Sequence, residues 1–274
     1  MQSPIIILRN VGGNEYSLEM PRLNEEVDDR LDDGIDLMLG GKQRQAQDIF
    51  RQLMEEFPEH IDAYHHLALS FEREGKCKNA LYLRIEALHL ALKFFPDDFA
   101  YETHRLPWEN LSNRPFLRLL HGLGLALMHD GQTPGAIAIL ERMLDVDPND
   151  NQGARAILVG CYFEAGLPED VLKLCQRYPK DRLEQLIYGK VLALFQTGEK
   201  EKAGKALKPA LERYPLIAAE LVKEKHRKPR GMNEERVRAG GKEEAFLYWK
   251  HDGKHWQETL GALEWLAEML EAGR

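Results

Sequence analysis

The residues whose types and spacing could do chemistry are mainly histidines. His251-Asp252-Gly253-Lys254-His255 sets two imidazoles at the i, i+4 spacing of helical zinc sites. Gly253 weakens a helix there and no third ligand is evident nearby, so no metal is expected. His65 and His66 are adjacent and project from different faces of a helix, which disfavours a shared ion. Asp28, Asp29, Asp32, Asp33 and Asp36 form an acidic stripe that reads as a solvated face. Neighbouring carboxylates in water gain no pKa separation, which argues against a paired-carboxylate catalyst. The chain carries no phosphate-binding GxxxxGK[ST] loop, dinucleotide fingerprint or GxSxG elbow. The expectation is therefore a non-enzymatic protein with no catalytic residue and no cofactor. The runner-up is a metal-dependent or hydrolytic protein using His65, His121 or the His251 pair.

The elements that would position these residues come from a spaced set that recurs. In its first copy the set is Gly34, Leu37, Gly41, Ala46, Phe50, Leu53 and Pro58; from Leu117 the same offsets give Gly124, Leu127, Gly131, Ala136, Leu140, Met143 and Pro148. Small residues let two antiparallel helices approach, a glycine turns the chain, and a proline stops the second helix. Five copies start at Val27, Ile61, Leu117, Gln152 and Glu184. The second helix of the copy at Ile61 reads about a turn long, because its closing proline is delayed to Pro96, and that of the copy at Gln152 reads short, ending before Pro179. Between them, the stretch 96–115 around Trp108 breaks the pattern and predicts an ordered loop across one edge.

Ahead of the repeats, the segment Pro4 to Pro21 predicts a β-hairpin about Gly12-Gly13-Asn14 that leans on the first helices. Behind them, Lys223 to Lys242 holds eight Lys and Arg against three Glu and reads as a solvated linker. A closing helical pair is expected over Glu243 to Lys250 and Trp256 to Leu270. The division is a hairpin extension over 1–24, repeats over 25–216 with the inserted loop 96–115, and a basic linker with capping helices over 217–274.

A net charge of −8 disfavours a general nucleic-acid binder, which needs positive surface to displace counterions. No run is long and apolar enough to span a bilayer, and the start lacks the basic region and cleavage site of a signal peptide. Cys77, Cys161 and Cys175 form no CxxC pair and read as small apolar core residues of a reducing compartment. A cytoplasmic protein is expected, with no membrane and no nucleic-acid partner.

The offsets over Val27 to Pro215 resemble the tetratricopeptide repeat. Leu106-Pro107-Trp108, Asn113-Arg114-Pro115-Phe116-Leu117-Arg118 and the stretch Gly241 to Leu266 are similar to the suppressor-of-tumorigenicity family. These resemblances imply an all-α fold, a right-handed superhelical solenoid of helical hairpins with a small N-terminal β-hairpin and a C-terminal helical cap. They imply a protein-protein interaction scaffold without established chemistry. In this repeat type the first helix of each hairpin lines a concave groove. Carrying its inward offsets over gives Asp62, His65, Leu69, Glu72, Arg118, His121, Leu125, Met128, Phe163, Tyr188 and Phe195 among others, with Arg155 neighbouring them. Chaperone-binding relatives clamp a C-terminal carboxylate with Lys and Asn at such places, a pattern missing here. A mixed apolar groove for a protein or peptide is expected instead. Self-association of the acidic stripe with the basic tract of a second copy is the alternative, giving a homo-oligomer.

Overall fold

The structure, a computed structural model, describes residues 6–20, 23–233 and 237–272. Ile5, in the apolar start, and Glu234, Glu235 and Arg236, in the basic tract, lie outside the described residues. Among the described residues the fold is all-α apart from one N-terminal β-hairpin, and its helices pair as tetratricopeptide-like hairpins. It divides into two compact units, 1–154 and 155–274.

The first unit contains β1 (Ile7–Gly12) and β2 (Glu15–Glu19), then α1 (Glu25–Leu39) with α2 (Gln43–Glu56), α3 (Ile61–Arg73) with α4 (Cys77–Leu92), and α5 (Arg114–His129) with α6 (Thr133–Val146). Asn24 caps α1 by accepting from Val27 N at 3.1 Å, and Glu25, Glu26 and Asp28 favour its positive end. The hairpins close as the spacing requires. A Cβ at Gly34 would lie 2.5 Å from Phe50 Cε1, and one at Gly124 would lie 2.6 Å from Leu140 Cδ2. At the turns, Gly41 and Gly131 hold φ of 79° and 77°. The next N–H of each bonds back five residues, Lys42 to Leu37 O at 2.8 Å and Gln132 to Leu127 O at 2.9 Å.

The β-hairpin rests on the inserted loop, where its described hydrogen bonds go, and not on the first helices as expected. Tyr16 N donates to Arg105 O at 2.8 Å and Arg105 N to Asn14 O at 2.8 Å. Asn113, fully buried, accepts from Leu18 N at 2.8 Å and donates to Tyr16 O at 3.0 Å and Pro107 O at 3.1 Å. Tyr16, Phe95, Phe99, Tyr101 and His104 interlock, with Tyr16 and Phe99 rings 5.7 Å apart and Phe95 and Phe99 rings 4.8 Å apart. A two-stranded hairpin is marginal alone, and this aromatic seat supplies what it lacks. Trp108 lies half-buried beneath the Arg114 guanidinium, 4.9 Å from its ring centre.

The second unit contains α7 (Ala154–Glu164) with α8 (Pro168–Arg177), α9 (Glu184–Gln196) with α10 (Lys200–Arg213), α11 (Pro215–Leu221), α12 (Lys242–Glu258) and α13 (Ala262–Ala272). Residue 154, the first of α7, closes the first unit, and its N–H is capped by Asp150 Oδ1 at 2.7 Å. The short second helix of the copy at Gln152 is present: α8 has 10 residues where α2, α6 and α10 have 14. The lengthening of α4 is slighter than read, at 16 residues.

The closing pair differs from expectation. One helix runs unbroken through Gly253, and the break falls at Thr259 to Gly261. Gly253 is buried, and a Cβ there would lie 2.8 Å from Trp249 Cδ1, so packing accounts for the glycine. The basic tract is pinned at its start, with the His226 ring stacked 3.8 Å from Trp249 and its Nδ1 3.1 Å from Glu220 Oε1.

Candidate binding surface

In the first unit, the expected groove positions of α3 and α5 meet one another. Arg118 Nε donates to Asp62 Oδ1 at 3.0 Å, and a second contact joins Arg118 Nη2 to Asp62 Oδ2. Burial alone would push the Asp62 carboxyl up, but the Arg118 hydrogen bond and charge outweigh it and hold it below the usual carboxylate range. One turn on, Arg84 of α4 is 1% exposed and is held by Glu72, with Nη2 to Oε2 at 2.9 Å. Its passage depends on Gly122, where a Cβ would lie 2.7 Å from Arg84 Nε and 3.2 Å from His65 Cε1.

His65 is buried, and its burial depresses the imidazole to about 3 against the opposing pull of Asp62. Burial likewise lowers His60 to about 4 and depresses His66 and His121. Leu69, Arg118, His121, Leu125 and Met128 are half-buried. The first unit therefore presents a polar pair beside apolar positions. The five aspartates of the acidic stripe are exposed on α1. Burial, then Asp32, Asp62 and Asp29, raise the Asp28 carboxyl.

The second unit corrects the expected groove. Tyr188 is 0% exposed, donates its hydroxyl to Tyr214 O at 2.7 Å, and packs on Tyr248 and Trp256 with ring centres 5.5 and 6.4 Å away. Phe163 lies against His255 at 5.3 Å and Phe195, buried, against Trp265 at 5.1 Å. The inward positions of α7 and α9 are thus filled by α12 and α13, which share one apolar core with them. Arg155 is not a groove cation either. It pairs with Asp181 and lies 5.1 Å over the Tyr178 ring.

His251 is exposed while His255 is buried, and among the described residues no group of His, Cys, Asp and Glu could hold a metal ion. Cys161 is buried and Cys175 partly so, and burial pushes both thiols up to about 11. Cys77 is exposed, because it begins α4 outside the core, contrary to its reading as a core residue. Among the described residues no helix is long and apolar enough to cross a membrane.

Sequence reasoning missed Asp62 and Glu72 as partners of Arg118 and Arg84, although both fell at inward offsets. The signal was their charge opposite a cation one helix on. It also missed that Tyr248 and Trp256 would complete the inward face of α9, for which the aromatic spacing of α12 was the available sign.

No curated protein matches the chain. Among solved structures, a MamA protein is 18% identical, covering 76% of this chain and 100% of that one, with a TM-score of 0.50. A Podosopora anserina putative kinesin light chain with TPR-like repeats is 14% identical over 68% of this chain and 94% of that one, at 0.48. YrrB, a TPR protein with an unusual peptide-binding site, is 16% identical over 68% and 85%, at 0.49. At such identities the likeness speaks to the fold alone. A family model described as Transcriptional repressor TCF25 matches residues 42–272, a span that includes Gly241 to Leu266, whose resemblance to the suppressor-of-tumorigenicity family is not confirmed. Its match extends over both helical units, and the chain belongs to the TCF25 family.

Proposed function

We propose that this chain is a non-enzymatic scaffold that binds a protein segment on the α3/α5 face of its first unit. The observation that carries the reading is the contrast between two sets of equivalent positions. Those of α9 are consumed by the chain's own core, whereas Leu69, Arg118, His121, Leu125 and Met128 keep half-exposed side chains. Apolar side chains beside a fixed ion pair suit an extended or helical peptide, with the ion pair setting register.

The runner-up, hydrolysis through groove histidines, has little support. An imidazole held to about 3, as His65 is, makes a weak general base near neutral pH. The family description supports a partner within a transcriptional repression complex. That reading favours the nucleus over the cytoplasm as the place of action.

A photo-crosslinking residue at Leu125 or Met128, with one at the exposed turn residue Leu167 as control, tests the proposal. The expected result is one dominant adduct from the α5 positions and none from Leu167. The captured protein, purified, should lose about tenfold in affinity on Leu125→Asp, corresponding to about 1.4 kcal/mol. Equal labelling from Leu167, or unchanged affinity for Leu125→Asp with helicity retained, overturns the assignment.

A further inference from the structure

The loop between α8 and α9 builds a cavity of about 610 Å³ whose charge is opposite to that of the chain as a whole. Five cationic side chains line it, Arg155, Arg177, Lys180, Arg182 and Arg213, against the single carboxylate of Asp181. That carboxylate is turned inward. Its side chain is 6% exposed, pairs with Arg155, and accepts from Leu183 N at 2.7 Å. Its charge is thus spent on shaping the loop, while Arg177, Lys180, Arg182 and Arg213 are exposed at the rim.

The walls are ordered by aromatic rings. Arg155 and Arg177 lie 5.1 and 5.7 Å from the Tyr178 ring centre, and Arg213 lies 5.2 Å from that of Tyr214. The Tyr214 hydroxyl donates to Arg182 O at 2.6 Å and ties the loop to the end of α10. Guanidinium groups held over rings lose less freedom when they take up a bidentate oxyanion. A second source of positive potential adds to them. The 13-residue helix α9 starts at this cavity, and its N-cap, Leu183, lines the wall without a side-chain cap bond.

The geometry points to a binding site for an acidic protein segment, its clustered oxyanions seated among Arg177, Lys180, Arg182 and Arg213. The oxyanions are either Asp and Glu carboxylates or phosphoserine phosphates, since both present the planar or forked oxygens that Arg engages. A nucleic-acid ligand is disfavoured by the net charge of −8, which repels a long polyanion beyond the cavity. The site goes beyond the α3/α5 face and stands or falls separately from it.

Fluorescence anisotropy on the full chain tests the assignment with four probes. They are a Glu-rich peptide, the same peptide with two Glu replaced by phosphoserine, its neutral Gln counterpart, and an oligothymidine of matched charge. The expected result is binding of the Glu or phosphoserine peptide and none of the Gln peptide. Affinity should fall at least tenfold in Lys180→Glu/Arg182→Glu, stay unchanged in the control Lys208→Glu on α10, and weaken as salt is raised. The tighter of the two acidic probes identifies the oxyanion. Equal affinity of wild type and double variant, no binding of either acidic peptide, or tighter binding of oligothymidine with the same residue dependence, overturns it. Leu125→Asp should leave this binding intact.

Discussion

Asn113 holds the N-terminal hairpin by two hydrogen bonds to its backbone and makes a third to the loop carbonyl of Pro107. Asn113→Ala leaves the Leu18 N–H and Tyr16 C=O without those partners in a dry setting, and the expected loss is about 2–4 kcal/mol, read by urea unfolding. Two histidines and one aspartate predict opposite pH responses. His60 and His65 are neutral in the fold down to about 4 and 3, whereas unfolded they titrate near 6.5. Between those values the unfolded chain binds more protons, so their contribution is complete above about pH 6.5 and is lost as pH falls toward 4. Amide exchange in α3, corrected for intrinsic rate, should accelerate over that window and stay flat above it. Asp252 runs the other way. Burial first, then Glu184, push its carboxyl up to about 7 from 3.8, so the folded state holds the extra proton and stability falls as pH rises through 7. Asp252→Asn should protect α12 amides relative to wild type at pH 8 and make no difference near pH 4.

At the scale of elements, the cap helices are structural parts of the second unit. Trp256 is fully buried and donates Nε1 to the Tyr248 hydroxyl at 3.2 Å. Trp256→Ala should cost about 3–5 kcal/mol and loosen α9 together with α12, which urea titration followed by exchange in both helices would show. If α12 were a detachable lid, α9 would keep its protection. The helical hairpins were legible because their cause is local: Gly34 under Phe50 and Gly41 at positive φ are short-range necessities that leave a fixed spacing. What was not legible depends on partners distant in sequence. The continuity of α12 through Gly253 rests on Trp249 packing over the missing Cβ, which overrides a helix-propensity penalty of about 1 kcal/mol. The seat of the β-hairpin rests on contacts across about ninety residues, from Asn14 to Thr103 and Leu18 to Asn113. No periodic pattern encodes such pairings.

At the scale of the whole molecule, the repeat offsets single out a set of positions on the first helix of each hairpin but do not say what each of them faces. In the first unit they leave Met128 and Leu125 half-exposed, and in the second they disappear beneath Tyr248, Trp256 and Trp265. The central claim is that a partner engages the first set and leaves the second untouched. Hydroxyl-radical footprinting of the full chain, alone and saturated with its crosslinked partner, measures this directly, because Met, Tyr and Trp report their own exposure. The account predicts that Met128 and Leu125 are oxidised in the free chain and protected at least fivefold in the complex, while Tyr188 and Trp256 are unreactive in both. Protection of Phe163 or a change at Tyr188 on binding, with Met128 reacting equally in both states, would contradict it.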